Sequence, residues 1–184
     1  MAVSLQCIDV LMGTFSKSFA AAGGYIAAST EIINYMRATS SGIVYHNSMS
    51  PIVCAQVIRA FKVLTGEDGT DVGAKKLAQL RDNSNYFREE LIKMGLHVLG
   101  EKDSAIVPVM VYFPTKLTAL SRDCLDRGLA VVVVGFPATS VIYSRVRFCM
   151  SAGHTRADLD FALNLMKEMA DTLWLHYANN AMGY

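Results

Sequence analysis

One lysine stands out by its surroundings. Lys17 lies in the run from Gly13 to Tyr25, GTFSKSFAAAGGY, among hydroxyls, small residues and glycines. An amine so placed can do two kinds of chemistry. It can set a point charge on a phosphate, as the lysine of a nucleotide-binding loop does, although no glycine precedes Lys17 at the spacing such loops use. Alternatively, a desolvated amine of lowered pKa can form a Schiff base with an aldehyde. Thr14 and Ser16 would then donate hydroxyl hydrogen bonds to a phosphate, and the small residues after the lysine would leave room for a ring. A solvated loop lysine is the plain alternative, and composition by itself leaves all three open.

Two arginines form the second candidate group. In the stretch 145–151 the side chains alternate, so Val146, Phe148 and Met150 share one face while Arg145, Arg147, Cys149 and Ser151 share the other. A guanidinium grips a carboxylate at two points. Alternation puts both arginines on one face and does not choose between them, and a surface carboxylate is the expected partner of Arg145. His154 precedes a helix and is expected to hydrogen-bond its entry. His46, His97 and His176 have no second ligand at helical or strand spacing. Cys7, Cys54, Cys124 and Cys149 are widely separated, so reduced thiols and no metal site are expected.

Positioning these groups falls to alternating strands and helices. Ile8 to Met12 reads as a short buried strand ended by Gly13, and Tyr25 to Ala28 as a second strand. Thr30 is expected to cap a helix to Arg37, and Ser50-Pro51 opens another to about Leu64. Leu77, Leu80, Phe87, Leu91 and Met94 recur at helical spacing, which predicts a helix over 71–94 stopped by Gly95. Strands are expected at 96–99, 106–113 and 129–134, with a helix over 115–127 between the last two. Thr155 caps a final helix with the stripe Leu159, Ala162, Met166, Met169 and Leu173. The order predicts an α/β or α+β layer architecture.

The 184 residues are 52% hydrophobic and 18% charged, with a net charge of +1. That excludes disorder and any bulk polybasic surface, so nucleic acid is not an expected partner. The longest apolar runs, 105–113 and 129–138, fall well short of the roughly 20 residues a membrane span needs. The first residues, MAVSLQ, lack the basic and long apolar regions of a secretion signal.

The run around Lys17 resembles the pyridoxal 5'-phosphate lysine motif of the α-oxoamine synthases. The similarity continues through 48–51 (SMSP), 131–139 (VVVVGFPAT) and 144–155 (SRVRFCMSAGHT). The last two runs are more similar to the eukaryotic serine palmitoyltransferase branch of that family than to its bacterial oxononanoate, aminolevulinate or ketobutyrate branches. Together the four motifs span about Ile8 to Tyr177 in the family's order.

The resemblance implies an α/β fold, the C-terminal part of a fold-type I transferase, mainly its small C-terminal α+β domain with a sheet covered by helices. Residues 1–44 would be the end of the large cofactor-binding domain, and 45–184 linking helices and the small domain. By the same resemblance Lys17 bonds pyridoxal 5'-phosphate and then shuttles protons at the substrate α-carbon. Thr14 binds the cofactor phosphate, and Asn47 and Ser48 reach across a dimer interface to the partner's phosphate. Arg147 holds the amino-acid carboxylate. The implied reaction condenses L-serine with palmitoyl-CoA, with decarboxylation, to 3-oxosphinganine, the first step of sphingolipid synthesis. The implied setting is the cytosolic face of the endoplasmic reticulum membrane, reached through segments absent here, in a homo- or heterodimer with a related subunit. A family member using glycine or alanine with a shorter acyl-CoA is one alternative. A scaffold subunit is another, and Lys17 argues against it.

Three positions depart from the pattern. Ala20 stands where the family has glycine, Ser140 where the nearest branch tends to proline, and His46 where a smaller residue is usual. The family's aspartate for the pyridine nitrogen and its ring-stacking histidine precede the lysine, yet only Asp9 and no histidine precede Lys17 here. The chain therefore reads as the C-terminal portion of a longer enzyme, inactive alone, with part of its apolar content turned toward a missing domain or a dimer partner.

Overall fold

A computed structural model describes residues 7–178. The chain divides into two compact units between Ala74 and Lys75.

In the first unit β1 (Val10–Thr14) and β2 (Gly24–Ala28) form an antiparallel ribbon, with Val10 opposite Ala28 and Thr14 opposite Gly24. The expected buried strand is corrected here. Gly13 pairs with Tyr25 rather than ending the strand, and Val10, Leu11 and Met12 are 45%, 44% and 66% exposed. Among the described residues β1 and β2 pair only with each other.

Helix α1 (Thr30–Thr39) begins at the residue expected to cap it, and the cap lies one residue earlier, at Ser29, whose hydroxyl accepts from the Ile32 N–H. After the single turn α2 (Ser41–Tyr45), α3 (Pro51–Thr65) has the expected entry. The Ser50 hydroxyl accepts from the Val53 N–H, and Pro51 occupies the first turn, where a missing N–H costs nothing. Gly66 ends it at φ +77°. At Gly73 a Cβ would stand 2.2 Å from the Val63 carbonyl oxygen, so only glycine allows this close an approach to α3.

Helix α4 (Val72–Lys93) opens at the division and runs into the second unit. The expected stripe holds for Phe87 and Leu91, both fully buried, but Leu77 is 53% exposed. The second unit continues with β3 (Ile106–Tyr112), α5 (Pro114–Asp126), β4 (Val132–Val134), a 3-10 turn at Val141–Tyr143, β5 (Ser144–Cys149) and α6 (Arg156–Leu173). Its sheet has the order β3-β5-β4 and is antiparallel throughout, with Val146 flanked by Val109 and Val133.

The strand expected at 96–99 is instead a single bridge from Val98 to Val109. Leu99 N–H donates to the Pro108 carbonyl, and the proline has no N–H to return, so the ladder cannot extend on that edge. The alternation of β5 is as expected: Val146 and Phe148 are buried, while Arg147 and Cys149 are exposed.

Helix α6 carries a capping box in which Thr155 and Asp158 exchange hydrogen bonds. Its stripe of Leu159, Ala162, Met166 and Met169 belongs to the core formed with Phe87, Val107, Val109, Val146 and Phe148. Each large side chain so buried contributes about 1.5–3 kcal/mol. Among the described residues no helix is long and apolar enough to cross a membrane.

Candidate active site

Lys17 sits on the loop between β1 and β2, and its shoulders are fixed on both sides. Phe15 and Phe19, two residues before and two after it, are in edge contact at 5.3 Å. Both meet Phe61 of α3, at 6.2 and 4.8 Å between ring centroids, and Phe15 also stacks on Tyr25. Three backbone bonds close the loop: Phe15 N–H to Gly23 O, Ala21 N–H to Phe15 O and Ala20 N–H to Lys17 O, each 2.9 Å. With the aromatic rings turned inward, Lys17 is exposed, and its amine has no partner among the described residues. The hydroxyls of Thr14, Ser16 and Ser18 are likewise exposed and unpartnered among those residues. A free primary amine beside three free hydroxyls is a donor set that fits a ligand carrying both an aldehyde and a phosphate.

The departure at Ala20 now has a physical meaning. Ala20 adopts φ +48°, the left-handed region where glycine is at ease and a Cβ is strained. Gly23 at φ +99° lies under Met49, whose sulfur would be 2.7 Å from any added Cβ. That packing ties the coil 46–50 to the end of the lysine loop. Asn47 and Ser48 are exposed on that coil.

Arg147 belongs to the second unit. Its backbone is held between Pro108 of β3 and Val132 of β4. Arg147 lines a cavity of about 550 Å³ together with Leu129, Val132, Cys149, His154 and Asp158. Arg145, opposite Met110 and Val134, does not line that cavity, so the structure separates two arginines that alternation left equivalent. The carboxylate expected beside Arg145 is not found among the described residues.

Rather than bonding the helix entry as expected, the His154 side chain closes the turn ahead of α6, its Nδ1 accepting from the Ser151 N–H at 3.3 Å. Bonds from the Thr155 backbone and hydroxyl hold the Asp158 carboxyl below the usual carboxylate range. All four cysteines are free; burial pushes the Cys124 thiol up to about 11, which makes it inert at neutral pH.

Two positioning residues escaped sequence reasoning. Phe61 was visible only as an apolar residue of α3, although aromatics two before and two after a lysine hint at a ring to receive them. Asn83 interrupts the apolar stripe of α4 between Leu80 and Phe87, and a polar residue at such a place signals a buried hydrogen-bonding task.

The α/β fold with its small helix-covered sheet, and the loop that presents Lys17, define a class. Residues 4–165 match the model of the family described as aminotransferase class I and II, and the chain belongs to that family. It is 53% identical over 170 residues to serine palmitoyltransferase 2 of Dictyostelium discoideum, covering 92% of this chain and 35% of that protein. It is 54% identical over 170 residues to long chain base biosynthesis protein 2b of Oryza sativa subsp. japonica, covering 92% and 34%. The chain thus spans about a third of the length of these relatives. Among solved structures, a serine palmitoyltransferase with PLP superimposes at a TM-score of 0.78 and 24% identity, covering 91% of this chain and 41% of that one, a likeness of fold.

Proposed function

We propose that this chain carries the lysine side of a pyridoxal 5'-phosphate site and the substrate-carboxylate arginine of an acyltransferase. The reaction we assign joins L-serine to a long-chain acyl-CoA such as palmitoyl-CoA, with loss of carboxylate, and makes the 3-oxosphinganine that begins sphingolipid synthesis. The observation that carries this reading is the lysine loop, an exposed amine without a partner among the described residues, with Thr14 three residues upstream and both shoulders packed on Phe61. Relatives named serine palmitoyltransferase and long chain base biosynthesis protein support the choice of reaction.

When bound, the cofactor supplies an electron sink for charge that develops at the substrate α-carbon. The chain's own residues do the rest. Lys17 Nζ would hold the cofactor, and as a free amine would take and return the substrate α-proton as base and then acid. The Thr14 hydroxyl donates to the cofactor phosphate. The Arg147 guanidinium holds the amino-acid carboxylate by two parallel hydrogen bonds until it leaves.

We assign Asn47 and Ser48 to the phosphate of a related subunit's cofactor across a dimer interface. Residues 1–44 are read as the end of the cofactor-binding domain and 45–184 as linking helices and small domain. The setting that goes with this reaction is the cytosolic face of the endoplasmic reticulum membrane. The test is product formation by the full-length protein. It should require both L-serine and palmitoyl-CoA, and Lys17→Ala should abolish it. Turnover of glycine or alanine with shorter acyl-CoA in preference to L-serine would overturn the substrate assignment.

A further inference from the structure

Asn83 is 1% exposed on α4, and three hydrogen bonds engage its amide. Nδ2 donates to the carbonyls of Ser151 at 3.1 Å and His154 at 2.9 Å, and Oδ1 accepts from Gln79 Nε2 at 2.8 Å. The two carbonyls stand at opposite ends of the turn that joins β5 to α6. That turn is closed by the His154 N–H donating to the Ser151 carbonyl and by the Ser151 N–H donating to His154 Nδ1.

A ring nitrogen that accepts carries no proton, so the neutral His154 ring must carry its proton on Nε2. Among the described residues Nε2 has no partner, and His154 lines the same cavity as Arg147. Asp158, the acid that also lines it, is committed through Oδ2 to Thr155. The dependence runs in one direction: Gln79 orients the amide, the amide holds both ends of the turn, and the turn fixes the tautomer and place of the ring. We propose that Asn83 is a positioning residue for the Arg147 cavity, acting through His154 to set which ring nitrogen, Nε2, carries a proton in the residue that lines that cavity. This rests on the reading of Arg147 as the carboxylate-holding side chain.

The test uses the full-length holoprotein with ¹⁵N-labelled histidine. The His154 ring nitrogens are followed by NMR, and L-serine binding by the change in cofactor absorbance. Asn83→Ala should replace the Nε2–H signature of His154 by exchange between tautomers and raise the Kd for L-serine about tenfold, the scale of one lost hydrogen bond. Gln79→Met, an exposed change that leaves the fold intact, should move both readouts the same way by less. Ser84→Ala, on the neighbouring buried residue that bonds only the Arg81 carbonyl, should move neither. Wild-type His154 signals in both Asn83→Ala and Gln79→Met overturn the proposal. Should Asn83→Ala fail to fold, Gln79→Met decides alone. Arg147→Lys tests the underlying reading separately: it should raise the Kd without changing the His154 signals. An unchanged Kd would refute the role of Arg147 while the NMR result still judges Asn83.

Discussion

The two units spend their apolar residues differently. In the second, Phe87, Leu91, Val109, Val146 and Met166 are fully buried between a three-stranded sheet and its helices. In the first, Met12, Ile26, Tyr35, Tyr45 and Ile52 are exposed, and among the described residues the buried hydrophobics are Phe15 and Val57. Packing therefore determines the shape of the second unit. The first relies on local devices: a ribbon register, the Ser29 and Ser50 caps, and the aromatic cluster under the lysine loop. The proposed covalent chemistry belongs to the region with fewer buried apolar side chains among the described residues.

That contrast can be broken by experiment, beginning with its largest consequence. Phe87→Ala removes a fully buried ring packed 5.1 Å from Phe148 and should cost about 3–5 kcal/mol in urea unfolding, whereas Met12→Ala on the exposed ribbon should cost less than about 0.5 kcal/mol. Comparable losses would mean that the units do not differ as described. Thr155→Ala deletes the capping box of α6 and should cost about 1 kcal/mol by the same assay, a loss placed wholly in the second unit. Ala20→Gly relieves a left-handed alanine in the first unit and should raise stability by about 0.5–1 kcal/mol, read as a higher urea midpoint. A drop would show that the loop conformation is not strained.

The smallest effect concerns pH. His176 Nε2 meets the Asp171 carboxylate and Nδ1 the Met94 carbonyl, both acceptors, so both bonds form only when the ring is protonated. The Asp171 bond, then the Met94 carbonyl, raise its pKa above 6.5. A raised pKa gives stabilisation that is complete below the unfolded value and is lost as pH rises through the folded one. Urea midpoints should fall slightly above pH 6.5, and His176→Gln should flatten that slope.

Much of the second unit was legible because its patterns are periodic. The stripe of α6 and the alternation of β5 follow from spacing alone, and in the first unit the Ser50-Pro51 entry follows from capping chemistry. The apolar run at 8–12 was legible as a strand but not as an exposed one, since periodicity says nothing about what covers a face. The stretch 96–99 looked like a strand, yet Pro108 opposite it lacks the donor a ladder needs. Lys17 and Thr14 could be picked out by residue type and motif. The choice of Arg147 over Arg145 comes only from the family resemblance; what the structure adds is that Arg147 lines a cavity and Arg145 does not. Asn83 and Phe61 act through contacts 68–71 and 42–46 positions away in sequence, which no local pattern reveals.

The central claim is that Lys17 is the amine that bonds the cofactor. Sodium borohydride reduction of the full-length protein loaded with pyridoxal 5'-phosphate would fix that bond as a secondary amine, and peptide mass spectrometry would locate it. The account predicts a phosphopyridoxyl adduct on the peptide containing Lys17, absent in Lys17→Ala. An adduct on another lysine, with Lys17 unmodified, would contradict it.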